Sequence, residues 1–203
     1  MAHETRTAAT APACCGHRAQ PGVTQISEAL DWTHQATTRD QAHIEAVLET
    51  LAVTGASLLH VGVGNSQLAQ RFASRARRID GLTVSPQEKA HAAALGLPHY
   101  TVYVLNKYSP AFGSVLMNTY DFIIDNNLAS FACCTYHFSV MVEHYLHALT
   151  THGQILTCQI GMDAYQDDCG WALTYADLVR LECQFPMQVA PLTELVYAIT
   201  VRP

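Results

Sequence analysis

The chain carries little charge: 14% of its 203 residues are Asp, Glu, Lys or Arg, and the balance is −6. No run of Lys and Arg occurs anywhere in it, so the electrostatic footprint of a nucleic-acid surface is missing. No apolar run approaches the ~20 residues that cross a bilayer, and the N-terminus lacks the apolar centre of a signal peptide. Disulfide spacing is also missing. The seven cysteines stand as Cys14-Cys15, Cys133-Cys134 and singles at 158, 169 and 183. An odd number with adjacent pairs is no disulfide framework, so a reducing cytoplasm is the expected setting. There is no internal repeat that would argue for a solenoid. These absences leave a small-molecule partner as the expectation, with neither nucleic acid nor membrane, and leave a homodimer open.

What is present is an apolar fraction of 49%, enough for one domain with a full core. Residues 1–22, rich in Ala, Thr, Pro and Gly and without periodicity, read as a mobile tail. Two helices are predicted over 23–55. The first is near Thr24–Gln35, with Ile26, Leu30 and Trp32 inward. The second starts at a Thr38-x-x-Gln41 capping box and carries Ile44, Val47, Leu48 and Leu51 on one stripe. Strands are predicted at 57–62, 79–84, 101–105, 120–125, 154–160, 184–190 and 194–202. Helices fall at 66–77, 86–95, 136–149 and 174–183, with His152-Gly153 turning the chain before the fifth strand.

The first strand runs into Gly62-Val63-Gly64-Asn65-Ser66. Two glycines there let backbone approach a ligand closely, and the helix that follows offers unpaired N–H groups, as nucleotide-binding βαβ units require. A dinucleotide fingerprint would add a glycine at 67 and an acid at the end of the second strand, where this chain has Gln67 and Thr83. A phosphate loop would put Lys-Ser or Lys-Thr at the helix start, and none follows. The Gly62–Ser66 turn, with Gly81-Leu82-Thr83-Val84-Ser85-Pro86-Gln87 downstream, resembles motif I and the second-strand motif of class I S-adenosylmethionine (SAM) dependent methyltransferases. The resemblance covers residues 56–203 and implies a Rossmann-like α/β fold of seven strands, mostly parallel with an antiparallel C-terminal end. It implies SAM as cosubstrate or sole substrate, and N-terminal helices lying over the mouth of its site.

Carried over by position, the resemblance assigns cofactor binding to His60, Gly62, Gly64, Asn65, Ser66, Thr83, Ser85, Gln87, Asn106, Lys107 and Asp125. Three of these depart from the family pattern. His60 stands for the motif I acid, Thr83 for the ribose-binding acid and Asn106 for the adenine-side Asp. His60 is equally read as a buried histidine satisfied by backbone. Asp125-Asn126-Asn127 ends the fourth strand where the methyl acceptor sits in this fold. Consecutive amides can hold an amine or carboxylate and align a nucleophile, and a turn alone rarely needs both. Asn126, Asn127, Asp125 as a base, and Tyr165 are therefore the catalytic expectation. Tyr108, Tyr136 and Tyr165 could each offer an aromatic face to a sulfonium.

No metal site is expected. His137, His144, His147 and His152 invite one, and His144-x-x-His147 has one-turn spacing, but His147 reads as solvent-facing and no Cys or carboxylate is spaced to complete a site. Cys133-Cys134 reads as a pair of small buried hydrophobes, reactive only if it caps the next helix. Three functions fit. The first is a small-molecule methyltransferase of secondary metabolism. The second is a lyase that folds the aminobutyrate arm of SAM onto itself, giving azetidine-2-carboxylate or 1-aminocyclopropane-1-carboxylate and methylthioadenosine. The third is a non-catalytic SAM-binding subunit.

Overall fold

A computed structural model describes residues 31–116, 119–163 and 172–202. Seven strands, β1 (Ser57–Val61), β2 (Arg78–Thr83), β3 (Tyr100–Val104), β4 (Tyr120–Asp125), β5 (Leu149–Cys158), β6 (Met187–Pro191) and β7 (Val196–Val201), form one sheet. The helices are α1 (Arg39–Leu48), α2 (Gln67–Phe72), α3 (Pro86–Ala94), α4 (Phe112–Val115), α5 (Thr135–Ala148), α6 (Gln159–Asp163) and α7 (Tyr175–Leu181).

The strand order is β3-β2-β1-β4-β5-β7-β6, parallel from β3 to β5, with β7 antiparallel to both β5 and β6. This is the predicted seven-stranded mixed sheet. The central strands are buried on both faces, which is why Leu58-Leu59 and Ile123-Ile124 read as unbroken apolar runs. Alternation divides them: Leu58, Phe122 and Ile124 join Ile44, Leu48, Leu68 and Phe72 in one core layer. Leu59 and Ile123 join Phe138, Met141 and Tyr145 in the other. Each such Leu or Ile taken from water contributes roughly 1.5–3 kcal/mol.

The N-terminal region departs from expectation. Residues 24–30 of the first predicted helix lie outside the described residues, and 31–35 form a turn rather than helix. Asp31 Oδ1 accepts the Thr33 N–H at 2.9 Å, a local bond that competes with helix. Trp32, expected inward, is 46% exposed. Thr38 is the N-cap of α1, but its side chain makes no capping bond. Gln41 instead donates to Glu45 Oε1 at 3.1 Å, so the capping box is not made. Ile44, Val47 and Leu48 are buried as predicted, whereas Leu51 lies past the helix end, half-buried against the same core layer.

Several boundaries moved. α2 ends at Phe72, short of the predicted 77, and β6 begins at Met187 where 184 was expected. β5 begins at Leu149, so His152-Gly153 lies inside a strand whose register against β4 shifts between Tyr120 and Phe122. β5 also stops at Cys158, because Gln159–Asp163 turns into α6.

Candidate functional site

The strand order reverses between β1 and β4, and ligands of open α/β sheets bind outside the carboxyl ends of strands at such a switch point. Val61 pairs with Asp125 across this junction. Register alone therefore sets the Gly62 turn beside Asn126. Gly62 and Gly64 hold φ +77° and +49°, the left-handed region that a glycine enters without Cβ strain. The N–H groups of Gly62 and Val63 both go to the Leu82 carbonyl on β2, at 2.8 and 3.2 Å.

Between the turn and Asn126 lies a cavity of about 90 Å³, bordered by His60, Gly62–Asn65 and Asn126, and roofed by Trp32, Gln35–Thr38 and Gln41. Three buried polar atoms on this cavity have no partner among the described residues: His60 Nδ1, Asn126 Oδ1 and Gln41 Oε1. Such atoms are costly unless something pairs with them. Burial pushes the His60 imidazole down to about 4, so it is neutral at ordinary pH. The cradle is thus polar and uncharged. Asn65 ties roof to floor: its Nδ2 donates to the Gln35 carbonyl at 2.9 Å and to Thr37 Oγ1 at 3.3 Å, and its Oδ1 accepts the Gln67 N–H. A nucleoside needs several times this volume, and the wall that limits it is the 35–38 segment with Trp32 and Gln41.

A carboxylate from α3 stands beside Thr83 at the end of β2. Glu88, a buried carboxylate in the first turn of that helix, accepts from Thr83 Oγ1 at 2.5 Å and from the Trp32 N–H at 3.1 Å. It was not singled out in the sequence because Ser85-x-x-Glu88 has the form of a capping box, where Glu usually marks only a helix start. Its burial is the signal that separates the two. Ser85 is fully buried as the N-cap of α3, its Oγ accepting from Glu88 N and donating to Gln87 Oε1. Gln87 itself is exposed. Ser66 is buried beneath the turn, its Oγ 3.0 Å from the Tyr100 hydroxyl, and does not border the cavity.

Asp125, expected as a base, is buried and engaged on both oxygens. Its oxygens accept from Lys107 Nζ at 2.9 and 3.2 Å, from the Tyr145 hydroxyl at 2.9 Å and from the Asn127 N–H at 3.2 Å. Lys107 also donates to the Asn127 carbonyl at 2.6 Å and to Ser130 Oγ at 3.2 Å. Burial lowers the Lys107 ammonium against the opposing pull of Asp125. Burial raises the Tyr108 and Tyr145 phenols well above their usual value, with the Asp125 charge acting in the same direction. This buried ion pair fixes the loop after β4 from below, and both carboxylate oxygens are engaged.

Of the two amides, Asn126 reaches the cavity and Asn127 does not border it. Asn106 Oδ1 accepts the Tyr108 N–H at 2.9 Å, closing a turn after β3. The Tyr108 hydroxyl donates to the carbonyls of Leu128 and Ser130, and Tyr136 is exposed. Tyr165 lies outside the described residues. His144 stacks on Phe112 at 5.5 Å and His147 is solvent-facing, as expected. Among the described residues no helix is long and apolar enough to cross a membrane.

No protein-family model matches this chain, and no curated protein sequence does. Solved structures do resemble it. The N-methyltransferase NodS from Bradyrhizobium japonicum WM9 superposes with a TM-score of 0.60 at 10% identity, over 81% of this chain and 97% of that one. A TehB-like SAM-dependent methyltransferase from Corynebacterium glutamicum gives 0.59 at 13% identity, over 78% and 86%. An rRNA methylase from Streptococcus thermophilus gives 0.54 at 12% identity, over 83% and 99%. At such identities the likeness is one of fold.

Proposed function

We propose that this chain, which has the class I methyltransferase fold, is a SAM-dependent enzyme that methylates a small molecule. The observation that carries the reading is the uncharged cradle of His60, Asn126 and Gln41 on a cavity beside a glycine turn. Its unpaired atoms suit the amine of an amino-acid end, since an amide oxygen accepts from N–H and a neutral imidazole can accept as well. Gly62 and Gly64 admit the ligand's backbone-facing side, and Glu88 would offer ribose hydroxyls its Oε1 in place of the Trp32 N–H that it now accepts.

A sulfonium supplies an activated methyl group and a neutral thioether leaving group. The chain's own task is then alignment. Asn126, at the carboxyl end of β4, would orient the nucleophile. The net charge of −6 favours a small acceptor over the rRNA named for one structural neighbour.

A second reading is favoured by the cradle's lack of charge. A carboxylate there would hold the α-amine of SAM as ammonium, whereas a desolvated neutral site lowers an amine's pKa and leaves its lone pair available. That amine can attack Cγ of its own aminobutyrate arm. The new C–N bond closes a four-membered ring, the C–S bond breaks to methylthioadenosine, and the amine proton passes to water. Asp125, with both oxygens engaged, is ill suited to abstract the α-proton that a cyclopropane product requires.

The test is to incubate the pure protein with SAM alone and then with small amines, phenols and carboxylic acids, reading products by mass spectrometry. Methyl transfer predicts unchanged SAM in the first arm and S-adenosylhomocysteine with a methylated acceptor in the second. Methylthioadenosine with azetidine-2-carboxylate in the first arm replaces it by the second reading. Tight SAM binding without consumption in either arm refutes both and leaves a binding subunit.

A further inference from the structure

Cys133 and Cys134 end the loop after β4, and Cys134 is the N-cap of the 14-residue helix α5. His137, in the first turn of that helix, lies three and four residues on, the spacing that brings side chains to one face. Its Nδ1 is 3.2 Å from Cys133 Sγ and 3.3 Å from Cys134 Sγ, and the two sulfurs are 3.9 Å apart. One ring nitrogen has one lone pair or one proton, so it cannot serve two thiols equally well by hydrogen bonding.

One ion can serve all three. On a tetrahedral zinc with Zn–S of about 2.3 Å, two sulfurs stand about 3.8 Å apart, and a nitrogen at about 2.0–2.1 Å stands about 3.5 Å from each. The observed triangle differs from that one by a few tenths of an ångström.

We propose that Cys133, Cys134 and His137 form a binding site for a borderline-soft divalent cation of the zinc class. The fourth coordination position is left to solvent or a ligand. Two sulfurs and an imidazole select such ions over magnesium or calcium, which take oxygen ligands. Cys134 and His137 are buried while Cys133 is half-buried, so entry is from the Cys133 side. Binding replaces thiol protons by the metal, releasing up to two protons to solvent for each ion, and weakens on acidification. Nothing in it depends on SAM. Its structural effect is to pin the end of the 126–134 loop to α5, above the Tyr108 hydroxyl that holds the Leu128 and Ser130 carbonyls.

The test titrates cobalt(II) into the reduced, metal-stripped full chain, then displaces it with zinc. The expected result is one ion per chain with thiolate-to-cobalt charge-transfer absorption, lost on adding zinc. Cys133→Ser, at the half-buried position, is expected to keep the far-ultraviolet circular dichroism and weaken cobalt binding at least tenfold. The double variant Cys14→Ser/Cys15→Ser is expected to leave it unchanged. Absence of thiolate absorption in the wild type overturns the proposal. So does absorption that survives Cys133→Ser or disappears with the Cys14/Cys15 pair.

Discussion

His60 makes the stability of this protein depend on pH in a way that can be worked out. Burial depresses its pKa from an ordinary 6.5 to about 4. Between those values the unfolded chain binds a proton that the folded chain refuses, so stability is fully present above the unfolded value and falls as pH drops towards 4. The full loss is on the order of 3 kcal/mol. Between about pH 7.5 and about pH 5 the same arithmetic gives a loss of about 2 kcal/mol.

His60→Asn keeps a polar side chain of similar reach and removes the titration. Urea unfolding followed by circular dichroism at both pH values gives four free energies. The wild type is expected to lose about 2 kcal/mol more than the variant on acidification. The other ten of the 11 histidines cancel in that difference. Equal losses would refute the claim that His60 is held neutral by burial.

Glu88→Gln is expected to weaken SAM binding by about 10- to 100-fold, the worth of roughly 1.5–3 kcal/mol for a hydrogen bond to a charged group, as read by calorimetry. Unchanged affinity would remove Glu88 from the ribose site. Asp125→Asn leaves the Lys107 ammonium buried without its counter-charge and is expected to cost about 3–5 kcal/mol in chemical denaturation. A loss of turnover with stability intact would instead restore Asp125 as a base.

The sheet was legible because its signals are local. Leu58-Leu59 and Ile123-Ile124 are the continuous apolar runs of two-faced strands, and glycines mark the turn after β1. Ser57–Val61 and Tyr120–Asp125 were accordingly placed to within a residue. The turn at 31–35 is hidden in the sequence because Ile26, Leu30 and Trp32 keep helical spacing, while one Asp31–Thr33 bond and the Trp32–Glu88 bond decide otherwise. Site partners were least legible where they depend on tertiary register. Lys107 follows β3 and Asp125 ends β4, strands that are not neighbours in the sheet, so no sequence interval announces their pairing. The Cys134-x-x-His137 spacing is local, but that its Nδ1 and both sulfurs converge depends on Cys134 being the N-cap of α5, which spacing alone does not show.

The register that sets Gly62 beside Asn126 also orders events during synthesis. β1 meets β2 within about twenty residues, but its other edge waits for β4, whose Asp121 accepts the Ser57 N–H across 64 residues at 2.8 Å. Until the ribosome has delivered β4, one side of this buried strand presents unpaired backbone groups, a template for pairing with another nascent chain. Translation slowed between β3 and β4 is therefore where this protein should most need a chaperone. Fragments ending before residue 120 should aggregate rather than bind ligand.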